Sequence, residues 1–213
     1  MGSRLILVTG GARSGKSAFA ARLASGPGGD VLFIATARAD DAEMERRIQS
    51  HQNSRPAHWR TLEVPRGVGE AITASIRGGE VVLVDCLGVL ISNVLMDLVG
   101  DDLDSCQEQF DLAEREVDHE IESLLDAFQR SKGDFVVVTN EVGCGLVPPY
   151  PLGRAFRDLV GRANQSLASR ADEVYLLVAG IPVAVKKLST ISLRQSAVRD
   201  VSTLREDSTD DSD

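Results

Sequence analysis

The sequence predicts an α/β fold in which a mostly parallel β-sheet carries helices on both faces and ends in an antiparallel strand. Short apolar runs, typical of buried parallel strands, occur at residues 5–8, 31–35, 81–84 and 135–139. Stretches with the periodicity of amphipathic helices separate these runs. A glycine-rich segment follows the first run directly. Together these observations indicate strands and helices that alternate around one sheet.

The glycine-rich segment, residues 10–17, fits the phosphate-binding pattern G-x-x-x-x-G-K-[ST]. Its glycines allow backbone N–H groups to wrap closely around a polyphosphate. Lys16 is expected to contact the β and γ phosphates, and the hydroxyl of Ser17 to ligate Mg²⁺. The positive end of the next helix would face the same anion. We therefore predict nucleotide binding by Gly10, Gly11, Ala12, Arg13, Ser14, Gly15, Lys16 and Ser17.

A carboxylate, Asp85, ends the apolar run at residues 81–84, which is a Walker B pattern. An acid at the carboxyl end of a strand beside the P-loop is placed to hold Mg²⁺ or its water shell. The structural alternative is an ordinary strand-terminating aspartate. With the P-loop, the pattern predicts a RecA-like P-loop NTPase fold in which Ser17 and Asp85 bind the metal.

The remaining elements follow from periodicity and from capping residues. Asp40 and Asp41 are suited to begin a helix that ends near Gln52. The polar, glycine-rich loop after residue 139 follows a strand, at the edge where open α/β sheets bind ligands. The other predicted elements are an extended segment at 59–64, helices at 67–76, 87–98, 106–130 and about 152–167, a strand at 173–178, and its hairpin partner at 182–186.

Composition indicates a single domain with an acidic tail. The chain has 213 residues and a formal net charge of −9, which argues against a nucleic-acid or anionic-membrane partner. Residues 206–213 contain five acids and no base. We expect a domain at residues 1–187 and a disordered tail at 188–213. No apolar run approaches the length of a membrane span, and no cleavable signal region precedes the first strand.

Cysteine and histidine usage favours a cytoplasmic protein with reduced thiols. The three cysteines, Cys86, Cys106 and Cys144, form no C-x-x-C pair. The three histidines are scattered along the chain, so the two residue types together offer no zinc pattern.

Several particular motifs accompany the P-loop. They are TGGARSGKS at residues 9–17, IAT at 34–36, a run RIxxHxxxRPxxW that ends at Trp59, the strand that ends at Asp85, and TNEVG at 139–143. With these motifs, roughly residues 4–186 resemble the bifunctional adenosylcobinamide kinase/adenosylcobinamide-phosphate guanylyltransferase family of cobalamin assembly.

The resemblance implies phosphorylation of adenosylcobinamide, followed by transfer of GMP from GTP to give adenosylcobinamide-GDP. In this family the histidine of RIxxHxxxRP carries GMP covalently, and His51 occupies that place. His58 is the nearest alternative, but it lies in a different register of the motif. The resemblance also implies Mg²⁺ as the cofactor, GTP or ATP as the phosphoryl donor, and a homotrimer.

The family's nucleotide contacts can be carried over to matching positions. The resemblance assigns Arg55 to the nucleotide phosphates, Glu63 to the guanosine and Asp85 to magnesium. A planar guanidinium suits phosphate because it can bind two oxygens at once. The other implied nucleotide-binding residues are Ala35, Thr36, Ala37, Gln52, Asn53 and Ser54. Ala37-Arg38 departs from the family pattern, in which a serine often follows the threonine.

Two further classes of protein fit part of the sequence. A single-activity P-loop small-molecule kinase would make His51 incidental. A regulatory GTPase is suggested by Asp85-Cys86-Leu87-Gly88, which fits the D-x-x-G pattern of such switches. The guanine-reading Asn-Lys-x-Asp element of those proteins is absent, because Glu141 follows Asn140. A binding module without catalysis leaves Lys16, Ser17 and Asp85 unexplained.

Overall fold

The computed structural model describes residues 2–26, 29–39, 46, 49, 52, 55–100 and 107–189. Its strands are β1 (Leu5–Gly10), β2 (Val31–Ala35), β3 (Arg60–Glu63), β4 (Val81–Asp85), β5 (Phe135–Val138), β6 (Glu173–Val178) and β7 (Ile181–Ala184). Its helices are α1 (Lys16–Ala24), α2 (Val68–Ser75), α3 (Leu87–Leu98), α4 (Gln107–Arg130), α5 (Pro151–Arg170) and α6 (Val185–Leu188).

The seven strands form one sheet in the order β3-β2-β4-β5-β1-β6-β7. Strands β1 to β6 pair in parallel, and β7 pairs antiparallel with β6. The turn between β6 and β7 contains Gly180 at φ 85°, in the left-handed region that glycine adopts without strain. The predicted α/β fold with an antiparallel terminal strand is confirmed.

The two faces of the sheet bury different sets of side chains, because successive residues of a strand point to opposite faces. Alternate residues such as Leu5, Leu7 and Phe135 pack with α2, α3, α4 and α5. The residues between them, such as Ile6, Val8 and Val136, pack with the apolar side of α1. Helices therefore cover both faces, as the alternating pattern requires.

The strand order separates the two strands that carry the predicted motifs. The strand that ends at Asp85 does not pair with the P-loop strand, because β5 lies between β1 and β4. The apolar runs specify burial on both faces and leave the order of neighbouring strands open. At about 4.8 Å per strand, Asp85 ends a strand roughly 10 Å from β1 across the sheet. The loop that follows β5 starts in the space between them.

The predicted helices and strands agree with the observed ones to within a few residues at their ends. Most of the predicted Asp40–Gln52 helix, as well as Cys106 and the tail from residue 190, lies outside the described residues. Among the residues that the structure describes, no helix has the length and apolar character needed to cross a membrane.

Candidate nucleotide-binding site

The P-loop joins β1 to α1 and is shaped by its glycines. Gly10 has φ 150°, Gly15 has φ 90°, and Arg13 also lies in the left-handed region at φ 55°. The loop is closed by a hydrogen bond from the amide of Ser14 to the carbonyl oxygen of Gly11, at 3.3 Å. Helix α1 begins directly after Gly15, so its free N–H groups face the loop. This is the backbone geometry that binds phosphate at a helix N-terminus.

The hairpin at the end of the sheet supports this loop from the side. The amide of Gly180 donates to the carbonyl oxygen of Ser14 at 3.0 Å. A Cβ on Gly10 would lie 2.6 Å from the carbonyl oxygen of Leu177, and one on Gly15 would lie 3.3 Å from the Cα of Gly180. Strand β6 and its turn therefore leave room only for glycine at position 10.

Lys16 is nearly buried at the start of α1, with 8% of its surface exposed. Its Nζ donates to the carbonyl oxygen of Gly11 at 2.7 Å, which holds the ammonium over the loop. Burial lowers the pKa of Lys16, while the neighbouring Cys86 and the carboxylate of Asp85 act in the opposite direction. Lys16 and Asp85 thus lie within electrostatic reach of each other, although they come from strands that do not pair.

Asp85 ends β4 and is followed by Cys86 through a cis peptide bond. Thr36 joins this point to the end of β2: its hydroxyl donates to the carbonyl oxygen of Cys86 at 2.8 Å and accepts from the amide of Cys86 at 2.9 Å. Burial and the nearby Asp85 carboxylate raise the pKa of the Cys86 thiol to about 11. Thr36 is fully buried, so its side chain holds two strand ends together and offers no surface to a ligand.

A buried amide from α3 extends this connection to β3. The Nδ2 of Asn93 donates to the carbonyl oxygens of Thr36, at 2.8 Å, and of Pro65, at 2.9 Å. These two carbonyls belong to the segments that follow β2 and β3. One side chain therefore fixes the ends of both strands relative to α3, and with Thr36 it aligns three strand ends at one edge of the sheet.

A pocket of about 340 Å³ lies beside the ends of β2 and β3. It is lined by Gln52, Arg55, Pro56, Ala57, Trp59, Thr61 and Glu63. The Nε2 of Gln52 donates to Oε1 of Glu63 at 2.9 Å. Burial lowers the pKa of Arg55, whereas the carboxylates of Asp85 and Glu63 act in the opposite direction. A cationic side chain thus lies near two carboxylates in a partly apolar recess.

The loop that follows β5 reaches the P-loop from the other side. The amide of Glu141 donates to the carbonyl oxygen of Gly10 at 3.0 Å. The hydroxyl of Thr139 donates to Oδ1 of Asn164 at 2.7 Å, and Nδ2 of Asn164 donates to the carbonyl oxygen of Asn140 at 3.0 Å. The predicted ligand-binding loop therefore lies against the P-loop, anchored by α5.

The structure brings most of the predicted site residues to one edge of the sheet. Residues 10–17, residues 35–37, Glu63 and Asp85 all lie at the carboxyl ends of parallel strands. Three predicted site residues, His51, Asn53 and Ser54, lie outside the described residues. His58, the alternative to His51, is exposed. His119 lies on the exposed face of α4.

Two residues at this edge were not anticipated. Asn93 has a weak signal in the sequence, since it lies, next to Ser92, in the middle of the mostly apolar helix Leu87–Leu98. Phe33 has no such signal in the sequence, because an aromatic residue in a buried strand is expected simply to pack in the core.

These features define a P-loop nucleotide-binding protein of the α/β class, with an aspartate at the end of a neighbouring parallel strand and a second, arginine-containing pocket along the same edge. Comparison with known families makes this specific. The chain belongs to the cobinamide kinase / cobinamide phosphate guanyltransferase family, whose model matches residues 6–185. The resemblance inferred from the motifs is confirmed.

Relatives in three bacteria match nearly their whole length. The bifunctional adenosylcobalamin biosynthesis protein CobU of Salmonella typhimurium is 48% identical over 184 residues, which cover 85% of this chain and 99% of that protein. The CobU protein of Escherichia coli K12 is 47% identical, with coverages of 85% and 99%. The CobP protein of Pseudomonas aeruginosa is 40% identical, with coverages of 84% and 96%.

Solved structures with a similar arrangement include a protein of Pyrococcus horikoshii, with a TM-score of 0.49 and 8% identity, where 89% of each chain is covered. A type III secretion ATPase has a TM-score of 0.49 and 11% identity, with 83% of this chain and 52% of that one covered.

Proposed function

We propose that this protein phosphorylates the hydroxyl group of the aminopropanol arm of adenosylcobinamide and then attaches GMP from GTP to the resulting phosphate, giving adenosylcobinamide-GDP. The observation that carries the proposal is a site with two parts on one sheet edge. A phosphate-binding loop with a buried lysine lies at β1, and a pocket with Arg55 and Glu63 lies three to four strands away, about 14–19 Å across the sheet. Membership of the bifunctional family supports the same assignment.

The kinase step uses the P-loop. The acceptor hydroxyl oxygen bonds to the γ-phosphorus of ATP or GTP, the bond from that phosphorus to the β-γ bridging oxygen breaks, and the nucleoside diphosphate leaves. The hydroxyl proton is released to solvent. Lys16 and the amides of residues 11–16 stabilise the charge on the phosphate oxygens, so the protein's contribution is positioning and charge neutralisation.

The guanylyl transfer proceeds in two displacements through His51. A neutral imidazole nitrogen bonds to the α-phosphorus of GTP, and the bond to the α-β bridging oxygen breaks with release of pyrophosphate. A phosphate oxygen of adenosylcobinamide phosphate then bonds to the same phosphorus, the P–N bond breaks, and the imidazole is regenerated. The covalent carrier replaces one direct reaction between two anions with two easier steps.

The same proposal assigns the nucleotide contacts. Arg55 binds phosphate oxygens and Glu63 the guanosine, while the segments at residues 35–37 and 52–54 complete the pocket. The hydroxyl of Ser17 and the carboxylate of Asp85 are hard oxygen donors of the kind that Mg²⁺ prefers, so this chain's residues fit that ion. When bound, Mg²⁺ supplies positive charge to the phosphates. Thr36 contributes to the pocket by fixing the ends of β2 and β4.

The proposed setting is a cytoplasmic homotrimer whose catalytic domain spans residues 1–187. Apolar side chains on the terminal hairpin and α6, among them Val178, Ile181 and Leu188, are exposed in the isolated chain by 55%, 67% and 70%. Such a patch suits an interface between subunits. Light scattering coupled to size-exclusion chromatography should give about three times the chain mass of 22.8 kDa.

The central experiment follows GTP labelled separately at its α and γ phosphates. With Mg-GTP alone, the protein should gain the mass of GMP and the α label, in an adduct that resists alkali and is lost in acid, as expected of a phosphoramidate. His51→Ala should lose this adduct and form no adenosylcobinamide-GDP, yet still phosphorylate adenosylcobinamide. His58→Ala is the matched control and should behave as the unmodified protein.

Three results would contradict the proposal. An adduct that persists in His51→Ala would place the carrier elsewhere, with His58 as the first residue to test. Loss of the kinase activity together with guanylyl transfer would mean that His51 shapes a shared site. Transfer of the γ label alone, with no α label on protein or product, would favour the single-activity kinase.

A further inference from the structure

The guanidinium of Arg55 lies over the face of an aromatic ring. Its Cζ is 3.7 Å from the ring centroid of Phe33, which is buried in β2. Trp59 lies beside Phe33, with the two ring centroids 6.2 Å apart and the planes inclined by 25°. Trp59 is 8% exposed and also lines the pocket that contains Arg55 and Glu63. Phe33 and Trp59 therefore form an aromatic pair next to the pocket, and the guanidinium of Arg55 lies over one of its rings.

The carboxylates near Arg55 do not by themselves fix its orientation. Asp85 and Glu63 attract the guanidinium from the ends of β4 and β3, on either side of β2. Charge attraction between side chains varies gradually with distance and constrains rotation weakly. Contact with a ring face is different, because it defines the plane in which the guanidinium lies.

The plane of the guanidinium decides how it can bind phosphate. Arginine binds two phosphate oxygens through parallel N–H groups that lie in its own plane. A guanidinium free to rotate would lose conformational entropy when it forms those bonds, whereas one already held against a ring loses less. The contact with the ring thus orients the guanidinium of Arg55 to bind two phosphate oxygens at the edge of the sheet.

We propose that Phe33 and Trp59 form an aromatic platform that positions Arg55 for the phosphates of GTP in the guanylyl-transfer reaction. The inference rests on the proposed function only in that Arg55 binds GTP there. It assigns a role to the tryptophan of the RPxxW motif that composition and spacing do not suggest. Phe33 and Trp59 act through Arg55 and are positioning residues.

The test is a double-mutant cycle with Phe33→Leu and Arg55→Lys. Leucine keeps an apolar side chain in β2 but removes the ring face, and lysine keeps the charge but removes the planar group. The matched control is Phe128→Leu, which disrupts an aromatic pair with Phe135, at 5.4 Å, on the opposite face of the sheet. Thermal denaturation of all variants separates loss of stability from loss of function.

Each single site variant should raise the KM for GTP in guanylyl transfer by about five- to tenfold, which lies between the effects expected for an exposed and for a fully desolvated cation–π contact. The kinase step should change less. The double variant should be no worse than Arg55→Lys alone, because the platform acts only through the planar guanidinium. Phe128→Leu should lower the melting temperature and leave the KM for GTP within twofold.

Trp59 supplies a second measurement that needs no turnover. It is the single tryptophan of the chain, so intrinsic emission reports this pocket directly. Titration of the unmodified protein with GTP should change the emission, and Phe33→Leu should shift the midpoint to about five- to tenfold higher GTP concentration.

The outcomes distinguish the platform from the function on which it rests. If Arg55→Lys impairs guanylyl transfer but Phe33→Leu leaves both the KM and the titration midpoint within twofold, the platform is refuted and the proposed function stands. Additive effects of the two substitutions would likewise refute it. If Arg55→Lys itself leaves guanylyl transfer intact, the GTP contact of Arg55 is wrong, and the platform falls with it.

Discussion

Replacing Asn93 by alanine should loosen the edge of the sheet that carries the nucleotide site. The substitution removes two hydrogen bonds, of 2.8 and 2.9 Å, to the carbonyl oxygens of Thr36 and Pro65. Each such bond contributes about 1 kcal/mol net, and a buried carbonyl left without its donor costs about 1–3 kcal/mol. We expect the free energy of unfolding to fall by about 2–4 kcal/mol, which corresponds to a melting temperature lower by roughly 5–15 °C in a chain of this size.

The functional effect should fall on GTP more than on the kinase step, because Asn93 fixes the ends of β2 and β3 and does not contact the P-loop. Steady-state kinetics with adenosylcobinamide phosphate should show a higher KM for GTP. Asn164→Ala is the matched control: it removes a partly buried amide that also makes two hydrogen bonds, but one that anchors the loop after β5. A melting temperature of Asn93→Ala within 2 °C of the unmodified protein would refute this reasoning, as would an equal rise in the nucleotide KM of both reactions.

Four further predictions concern the loop, the metal, the thiol and the tail. Lys16→Ala should abolish kinase turnover, since it removes the charge held over the P-loop. Unchanged turnover would refute the role of Lys16 in phosphoryl transfer. Asp85→Asn should raise the Mg²⁺ concentration needed for half-maximal activity more than it weakens nucleotide binding without metal; indifference to the change would exclude Asp85 as a metal ligand. Because the pKa of Cys86 is raised, the unfolded chain loses the thiol proton near pH 9, whereas the folded protein keeps it until about pH 11. The free energy of unfolding should therefore fall between pH 9 and pH 11, and it should fall less in Cys86→Ala. An equal dependence of stability on pH in the two proteins would refute this prediction. Truncation after Lys187 should shift the melting temperature by no more than a few degrees, and a large drop would show that the tail docks.

The sequence predicted the elements of the fold better than their arrangement. Buried strands such as Val81–Asp85 are recognisable because parallel strands are apolar on both faces. The same property leaves their order open, so the position of β5 between β1 and β4 was not predicted. That order arises from the packing of helices on the two faces, which no short window of sequence contains.

The candidate site likewise contains residues that the sequence predicted and contacts that it did not. Lys16 and Asp85 were identified because their chemistry requires particular residue types at fixed spacing or at the end of a strand. Thr36 was predicted as a nucleotide contact, and the structure uses its side chain to join β2 to β4. Motifs record which residues a site needs, whereas the hydrogen bonds of a buried hydroxyl depend on tertiary neighbours.

The central position of β1 has a consequence for how the protein is made. This strand is synthesised well before its two partners, β5 and β6, which end near residues 138 and 178. At ribosomal rates of about 5–20 residues per second, Leu5–Gly10 waits on the order of ten to thirty seconds for them. During that interval an apolar strand with unpaired edges is exposed on the nascent chain, a state prone to association with other chains. The P-loop, whose shape depends on Leu177 and Gly180, can close only after the hairpin at the other end of the domain has left the ribosome.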